Sequence, residues 1–350
     1  MNSIPVPKNT AYQCPRTRTA LRPQGDALCG TTTEYPIRSG VPVFLADRSG
    51  ANDELSGVKL VDLVAQAQAI GWEAALRKLL GHDRGLMDYV TDVSRSRFLE
   101  LLPLSPNTRV LEIGPGLGQI TRQLAPRVGS VDALEISEAQ AQFVRISCEQ
   151  SGLGNVAVAC GGDDCKLPYA DGLFDLVVLN LVFEWCGGRF PGSHEEAQQR
   201  LLQEIHRVLK PGGQLYLSTK NRYGLRLLLG RNDEHLYGMR FGSCLPRAVG
   251  AAWLRRHGQT RARGHLYSFD GLDALLAKAG FGTRRAFWAA PEMRNPDRFM
   301  PVDASAIRAA RREGGFREGN GRLEQLVMSR LPAGLVKHVS HGLATLATKS

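Results

Sequence analysis

A cluster of glycines follows an apolar segment near the middle of the chain, in the sequence Glu112-Ile-Gly114-Pro-Gly116-Leu-Gly118. Glycines directly after a buried strand allow a sharp turn and let a ligand approach the backbone closely. Pro115 stiffens the turn and removes one amide donor. The carboxylate of Glu112 would repel a pyrophosphate, whereas it could hold a sulfonium or an ammonium group. The loop therefore predicts a binding site for a ligand that lacks a pyrophosphate.

Polar side chains stand at the ends of the next three apolar segments. Glu135 follows Gly118 by seventeen positions, and a carboxylate at such a point can accept hydrogen bonds from both hydroxyls of a ribose. Asp163, with Asp164 beside it, ends the third segment, and Asn180 ends the fourth. These residues predict that the ligand at the glycine loop carries a ribose.

The elements that position these residues begin at Arg109, where short apolar runs alternate with helical segments. Five candidate strands are RVLEI, VDALEI, NVAVAC, FDLVVLNLVF and QLYLST, and residues 283–289 and 343–348 supply two more. Ser137 with Gln140, and Ser193 with Glu196, indicate helix starts of the capping-box type. Strand–helix alternation of this spacing predicts an α/β fold, a doubly wound, mostly parallel seven-stranded sheet of Rossmann-like type. Residues 12–46 predict a small N-terminal β module, and helices are expected near 58–80 and 86–102.

Four motifs together resemble those of the class I S-adenosylmethionine-dependent methyltransferases. They are VLEIGPGLGQIT, ALEIS, GGDDCKLPYADGLFDLVV and EIHRVLKPGGQLYLS, and they span roughly 110 residues. The resemblance implies S-adenosyl-L-methionine as the cofactor and a last strand that is inserted antiparallel. It also implies that Asp163, or its neighbour Asp164, accepts the adenine amino group, and that Asn180 lies beside the methionine part. The residues expected to bind the cofactor are Glu112, Gly114, Gly116, Gly118, Glu135, Asp163, Asp164 and Asn180.

Acceptor sites in such folds lie beyond the carboxyl ends of the strands. Two segments qualify, one after strand four and one after strand five, and the substrate-binding residues predicted in them are Glu184, Trp185, Asn221, Arg222 and Arg240. A general base is needed only for a poor nucleophile such as a sugar hydroxyl, and His235 is the predicted base. The segment TKNRYGLRLLLGRNDEH is similar to one in methyltransferases associated with bacterial surface-polysaccharide systems.

The N-terminal residues resemble a zinc-ribbon module that has lost half of its ligands. The knuckles read Cys14-Pro-Arg-Thr17 and Cys29-Gly-Thr-Thr32, with threonine in the second cysteine position of each. Because structural zinc takes four ligands, two thiolates cannot close such a site and we predict that no metal is bound. The module is expected to dock against the acceptor site or to act as a scaffold.

The chain divides, by prediction, into this module (1–50), a linker with a helical cap (51–105) and the methyltransferase domain (106–350) with a basic lid at 220–268. The net charge is +10, and residues 220–264 hold ten Lys/Arg against Asp233 and Glu234. That segment alone contributes 10 − 2 = +8, which would attract an anionic acceptor. Seven dispersed cysteines, without an apolar run of roughly 20 residues or a secretory signal, favour a cytoplasmic protein with reduced thiols and no membrane span.

Three functions fit this pattern. The first is methylation, on oxygen or nitrogen, of a small molecule or a sugar-containing precursor. The alternative is an RNA methyltransferase, which the basic charge and the ribbon-like module favour, although no aromatic-and-basic RNA-binding pattern is present. The third is a cofactor-binding subunit without catalysis, which the intact cofactor motifs argue against. Genomic neighbours, biosynthetic or RNA-processing, would separate the first two.

Overall fold

A computed structural model describes residues 11–46, 54–188 and 190–350. The chain divides into two units. The first contains the described residues up to Val178 together with Arg207–Gly213, and the second contains Leu179–His206 and Gln214–Ser350. The predicted division at residues 50 and 105 stays a prediction.

The strands are β1 Arg22–Gln24, β2 Ala27–Cys29, β3 Glu34–Arg38, β4 Val41–Pro42, β5 Glu54–Leu55, β6 Val58–Lys59, β7 Arg109–Ile113, β8 Ser130–Glu135, β9 Val156–Cys160, β10 Phe174–Asn180, β11 Leu209–Lys220, β12 Asn232–Asp233, β13 Met239–Arg240, β14 Phe281–Ala290, β15 Arg298–Pro301 and β16 Gly342–Lys349. The α-helices are α1 Leu60–Ile70, α2 Trp72–Leu80, α3 Arg84–Thr91, α4 Gln119–Leu124, α5 Glu138–Gln150, α6 His194–Val208, α7 Leu225–Leu228, α8 Arg247–Arg256, α9 Phe269–Lys278, α10 Ala304–Glu313, α11 Arg322–Arg330 and α12 Val336–Val339.

The largest sheet has the strand order β15-β14-β16-β11-β10-β7-β8-β9. Strands β7, β8 and β9 pair in parallel. Strand β16, the last in the chain, pairs antiparallel with both β11 and β14. The predicted fold is therefore confirmed, with the final strand inserted antiparallel. Strand β15, antiparallel to β14 at the edge, is an eighth strand that the sequence did not predict.

Local sequence explains where several helices begin and end. Helix α6 opens with a capping box, because the Ser193 amide donates to the Glu196 carboxylate and the Glu196 amide donates to the Ser193 hydroxyl. The helix expected near 58–80 is divided into α1 and α2 at Gly71, whose φ of +90° only glycine adopts easily. The second expected helix, near 86–102, contains α3 and then a 3-10 helix over Val93–Leu101.

The N-terminal β module is present as an antiparallel sheet of β1 to β4. It packs within the first unit, since Val41 and Val43 share a core with Val144 and Val158. Val43 also forms a parallel bridge with Cys160 at the end of β9. An exposed edge strand can pair with other chains, so the module covers part of the edge that β9 presents.

The zinc-ribbon resemblance of this module stays a prediction. Cys14 is buried, and its sulfur lies 3.2 Å from the Tyr35 hydroxyl and accepts a hydrogen bond from the Thr17 amide at 3.4 Å. Burial raises the pKa of this thiol, but the hydrogen bonds from Thr17 and Tyr35 outweigh burial and lower the pKa to about 6. Among residues 11–46, 54–188 and 190–350, no group of three or more His, Cys, Asp or Glu side chains is arranged to hold a metal.

We expect the purified protein to contain no stoichiometric zinc by elemental analysis, because Thr17 and Thr32 stand where two thiolate ligands would be needed. A chelator should leave the melting temperature unchanged, since structural zinc contributes folding free energy only where it is bound. One zinc ion per chain, removed by the chelator with a fall in melting temperature, would show that other ligands complete the site.

The basic lid predicted at 220–268 is a folded element in the second unit. It contains α7, the short β12–β13 ladder and α8. A small core of Leu236, Met239 and Leu254 joins the ladder to α8, whereas Leu225 of α7 packs against a separate cluster that contains Trp288 and Met300. Within the described parts of the chain, no helix is long and apolar enough to cross a membrane.

Candidate active site

The glycine loop connects β7 to α4 in the first unit. Gly114, Gly116 and Gly118 have φ of +72°, +59° and +75°, a region in which side chains are strained. A Cβ atom added to Gly116 would meet no atom within 4 Å, so the backbone there borders open space. A Cβ atom on Gly118 would lie 3.2 Å from the Val144 side chain, so this glycine allows the loop to pack closely on α5. The geometry suits a ligand that approaches the backbone at Gly116.

The carboxylate of Glu135 ties the end of β8 to this loop. One oxygen accepts from the Gly116 amide at 3.0 Å, and the other accepts from the amides of Ile136 and Ser137 at 2.8 and 3.1 Å. Glu135 is buried, with 4% of its surface exposed. Because it fixes the position of the Gly116 backbone, it shapes the predicted ligand site as well as lining it.

Glu112 lies beneath the loop and accepts a hydrogen bond from the Thr121 hydroxyl at 2.7 Å. Burial raises the pKa of Glu112 to about 7, and the Thr121 hydrogen bond offsets only part of this shift. The role predicted for Glu112, attraction of a positively charged ligand, requires the ionised form, which the site therefore holds only partly near neutral pH. That role stays a prediction.

The Glu112→Gln substitution should make the protein more stable at pH 8 but not at pH 4. The carboxyl of Glu112 has a raised pKa in the folded protein. Between pH 4.5 and about 7 this carboxyl is therefore ionised in the unfolded chain but still protonated in the folded protein. Stability contributed by the neutral carboxyl is thus complete at low pH and is lost as the pH rises, by up to roughly 3 kcal/mol. Melting temperatures of both proteins across this range test the prediction, and an equal effect of the substitution at both ends would contradict it.

Asp163 and Asp164 have different surroundings. Both oxygens of the buried Asp163 carboxylate accept from the Ala46 amide at 3.1 Å, so the N-terminal module helps to orient it. Asp164 accepts a hydrogen bond from the backbone amide of Lys166 and forms an ion pair with the Lys166 side chain at 3.7 Å. Burial raises the pKa of Asp164, although Lys166 lowers it in part. The fixed orientation of Asp163 makes it the better candidate of the two for the adenine contact.

Asn180 ends β10 and belongs to the second unit. Its side-chain oxygen accepts from the Ser218 hydroxyl at 2.7 Å. Its amide nitrogen is buried, and no described residue accepts a hydrogen bond from it. An unpaired buried donor costs free energy, so this amide is suited to bind an acceptor group of a ligand.

A comparison with known families assigns this region. The family described as "methyltransferase domain" matches residues 111–217, which hold the glycine loop, Glu135, Asp163 and Asn180. These residues form a class I methyltransferase domain. Its cofactor is S-adenosylmethionine, and the residues of the first unit fit it, since they offer the open backbone at Gly116 and the oriented carboxylates of Glu135 and Asp163.

Curated relatives share this domain over part of their length. The chain is 38% identical over 136 residues to a biotin biosynthesis bifunctional protein of Cellvibrio japonicus. That match covers 38% of this chain and 24% of that protein. It is 34% identical over 117 residues to a malonyl-[acyl-carrier protein] O-methyltransferase of Methylococcus capsulatus. That match covers 33% of this chain and 38% of that protein. The chain therefore spans well under half of these two relatives. A solved complex of the Haloferax volcanii Trm112 methyltransferase activator with a methyltransferase covers 85% of this chain and 99% of its own, at 16% identity and a TM-score of 0.43, which is too low to support an argument.

Outside the methyltransferase domain, the second unit contains a buried pair of one histidine and one aspartate. The Nδ1 atom of His235 lies 2.9 Å from the Asp233 carboxylate, whose other oxygen accepts from the Ser243 amide at 2.7 Å. Burial raises the pKa of Asp233, but hydrogen bonds from His235 and Ser243 lower it overall, so Asp233 is ionised near neutral pH. A carboxylate at Nδ1 fixes the tautomer that leaves Nε2 as an acceptor. The Nε2 atom is buried and has no hydrogen-bond partner among the described residues.

His235 lines a cavity of about 670 Å³, within the range of small-molecule sites. The cavity lies entirely in the second unit, and Asn221 and Arg240 also line it. The structure thus brings together at one cavity three residues that the sequence predicted for the substrate site, His235 as the base and Asn221 and Arg240 as substrate-binding residues. The other charged residues lining it are Lys220, Arg226, Arg231, Asp233, Glu234, Glu292, Arg294 and His341.

Glu184 and Trp185 lie next to this cavity. The Trp185 ring stacks on His235 with ring centres 4.6 Å apart, and Lys220 lies 5.9 Å from its centre. Glu184 is fully buried, and neither of its carboxyl oxygens has a partner within hydrogen-bonding geometry among the described residues. Burial raises the pKa of Glu184, while Thr219 and Lys220 lower it in part.

Arg222, also predicted to bind substrate, is used differently. Its guanidinium donates to the Ser243 and Leu245 carbonyls at 2.7 and 2.9 Å, and it is not among the cavity-lining residues. Asn221 lines the cavity, but its amide donates to the His338 carbonyl at 3.0 Å and its oxygen accepts from the Tyr223 amide. Both residues therefore hold the lid in place, and any role in substrate binding stays a prediction.

Sequence reasoning missed several residues of this site. Asp233 precedes His235 by two positions, and an Asp-x-His pattern in a basic lid could have suggested a carboxylate–imidazole pair. Glu292, Arg294 and His341 reach the cavity from segments far along the chain, and no local pattern marks them.

Proposed function

We propose that this protein transfers the methyl group of S-adenosylmethionine to a hydroxyl group of a small molecule or sugar-containing precursor, which binds in the cavity of the second unit. The observation that carries the proposal is the buried His235, held at Nδ1 by Asp233 and unpaired at Nε2. Such a pair is a general base, and a base is needed for a hydroxyl but not for an amine that already has a free lone pair.

The proposed reaction is an in-line displacement. The acceptor oxygen forms a bond to the methyl carbon as the carbon–sulfur bond breaks, and the electron pair of that bond passes to sulfur. The acceptor proton moves to Nε2 of His235, and the resulting imidazolium is stabilised by the ionised Asp233. Because the cofactor already carries an activated methyl group, the remaining contribution of the protein is to align the two reactants.

The residues of the first unit proposed to hold the cofactor are Gly114, Gly116, Glu135 and Asp163. The groups proposed to orient the acceptor are Trp185, stacked on the base, and Arg240, which lines the cavity.

Methyl-labelled S-adenosylmethionine, incubated with the full-length protein and an extract divided into small molecules and RNA, tests this function. We expect label in the small-molecule fraction, in a linkage that resists mild base as an ether does. The matched control is the Asp233→Asn protein, which should bind the cofactor but transfer little label. Label in RNA would favour the alternative RNA methyltransferase, and label on nitrogen would overturn the assigned role of His235.

A further inference from the structure

The charges that line the cavity do not cancel. Each carboxylate there already has a cationic partner or a set of donors. Glu234 pairs with Lys220, Glu292 pairs with Arg226 at 2.8 Å, and Asp233 is held by His235 and the Ser243 amide. The carboxylates are therefore neutralised from within the site.

Two arginines at the cavity are not used in this way. Arg231 and Arg240 are exposed, and neither side chain has a hydrogen-bond or ion-pair partner among the residues that the structure describes. They lie at the same end of the β12–β13 ladder, because Asn232 is paired with Arg240 and Arg231 directly precedes it. Both arginines therefore border the cavity from the same end of this ladder.

The rest of the cavity wall also favours an anion. His341 lines it, and the pKa of His341 is lowered to about 3 by burial and by the charges of Arg226, Lys220 and Arg294. The charges of Arg226, Lys220 and Arg294 add to the larger effect of burial, so these cations make the electrostatic potential at this wall more positive, and a positive potential with low-dielectric walls concentrates anions.

We infer that the acceptor carries a phosphate monoester, which Arg231 and Arg240 bind at one end of the cavity while its hydroxyl group lies near His235. Two unpaired guanidinium groups match a dianion, and a phosphate monoester carries about −1.5 to −2 at pH 7. The planar fork of arginine also matches phosphate oxygens in bidentate geometry. The inference rests on the proposed function for the position of the hydroxyl, but the phosphate subsite can be tested without turnover.

The experiment measures binding of inorganic phosphate and of methyl phosphate to the full-length protein by phosphorus NMR titration. We expect both ions to bind, and the Arg231→Ala/Arg240→Ala double variant to bind each at least about tenfold more weakly. The matched control is Arg255→Ala/Arg256→Ala, which removes the same charge from exposed residues of α8 that do not line the cavity. This control should bind phosphate as the wild type does.

Several outcomes would overturn the inference. These are the absence of phosphate binding by the wild-type protein, equal losses in the two double variants, or equally tight binding of malonate, which would indicate a dicarboxylate instead. Affinity for S-adenosylhomocysteine should be the same in all variants, which shows that they are folded. Phosphate binding without any methyl transfer would refute the proposed function and leave the anion subsite standing, so the two failures can be distinguished.

Discussion

Replacing Glu135 with alanine should reduce the affinity for S-adenosylmethionine by about a hundredfold or more. One hydrogen bond to a charged acceptor contributes roughly 1.5–3 kcal/mol, which is about 10- to 150-fold. The substitution removes the predicted ribose contact and also leaves the Gly116, Ile136 and Ser137 amides without their acceptor. Because the Gly116 backbone then loses its anchor, the whole glycine loop should become less ordered, and calorimetric titration would measure the loss.

The matched control for this prediction is Glu149→Ala, which removes an exposed carboxylate of α5 that forms an ion pair with Arg145 of the same helix. It should leave cofactor affinity unchanged. If Glu135→Ala proves too unstable to assay, Glu135→Gln keeps one acceptor oxygen and should show an intermediate affinity. Cofactor binding within threefold of wild type in both Glu135 variants would show that this carboxylate does not contact the ligand.

The cofactor half of the protein was predictable because its signals are local. Gly114, Gly116 and Gly118 lie in one turn, and each has the positive φ that its residue type suggested. The mostly parallel sheet also follows from sequence, because strand–helix alternation of this spacing implies parallel strands with helices on both faces. What sequence could not show is that Asp163 is oriented by the Ala46 amide, a contact across 117 positions.

The acceptor half was predictable only in part. His235 and Arg240 line one cavity, and the sequence singled them out because they follow strand five in a basic segment; their roles stay predictions. The segment was expected to be a lid, and its folding around Leu236, Met239 and Leu254 is a tertiary property that charge alone does not reveal. Arg222 shows the limit of that reasoning, because an arginine in a predicted binding loop can equally donate to backbone carbonyls of the same loop.

The second large effect is expected from the pair of His235 and Asp233. His235→Gln removes the base and should lower the rate of methyl transfer by about a hundred- to ten-thousand-fold, the usual contribution of general base catalysis. Asp233→Asn keeps the shape of the pair but no longer selects the tautomer with a free Nε2, so a loss of similar size is expected. Both variants should bind S-adenosylmethionine as tightly as the wild type, because the predicted cofactor contacts do not involve them.

The control for that pair is His257→Gln, which alters an exposed histidine at the end of α8 and should not change the rate. The melting temperature separates a chemical role from a structural one. In His235→Gln the rate should fall while the melting temperature stays close to the wild-type value. Rates within a few-fold of wild type in both variants would show that His235 is not the base of the reaction.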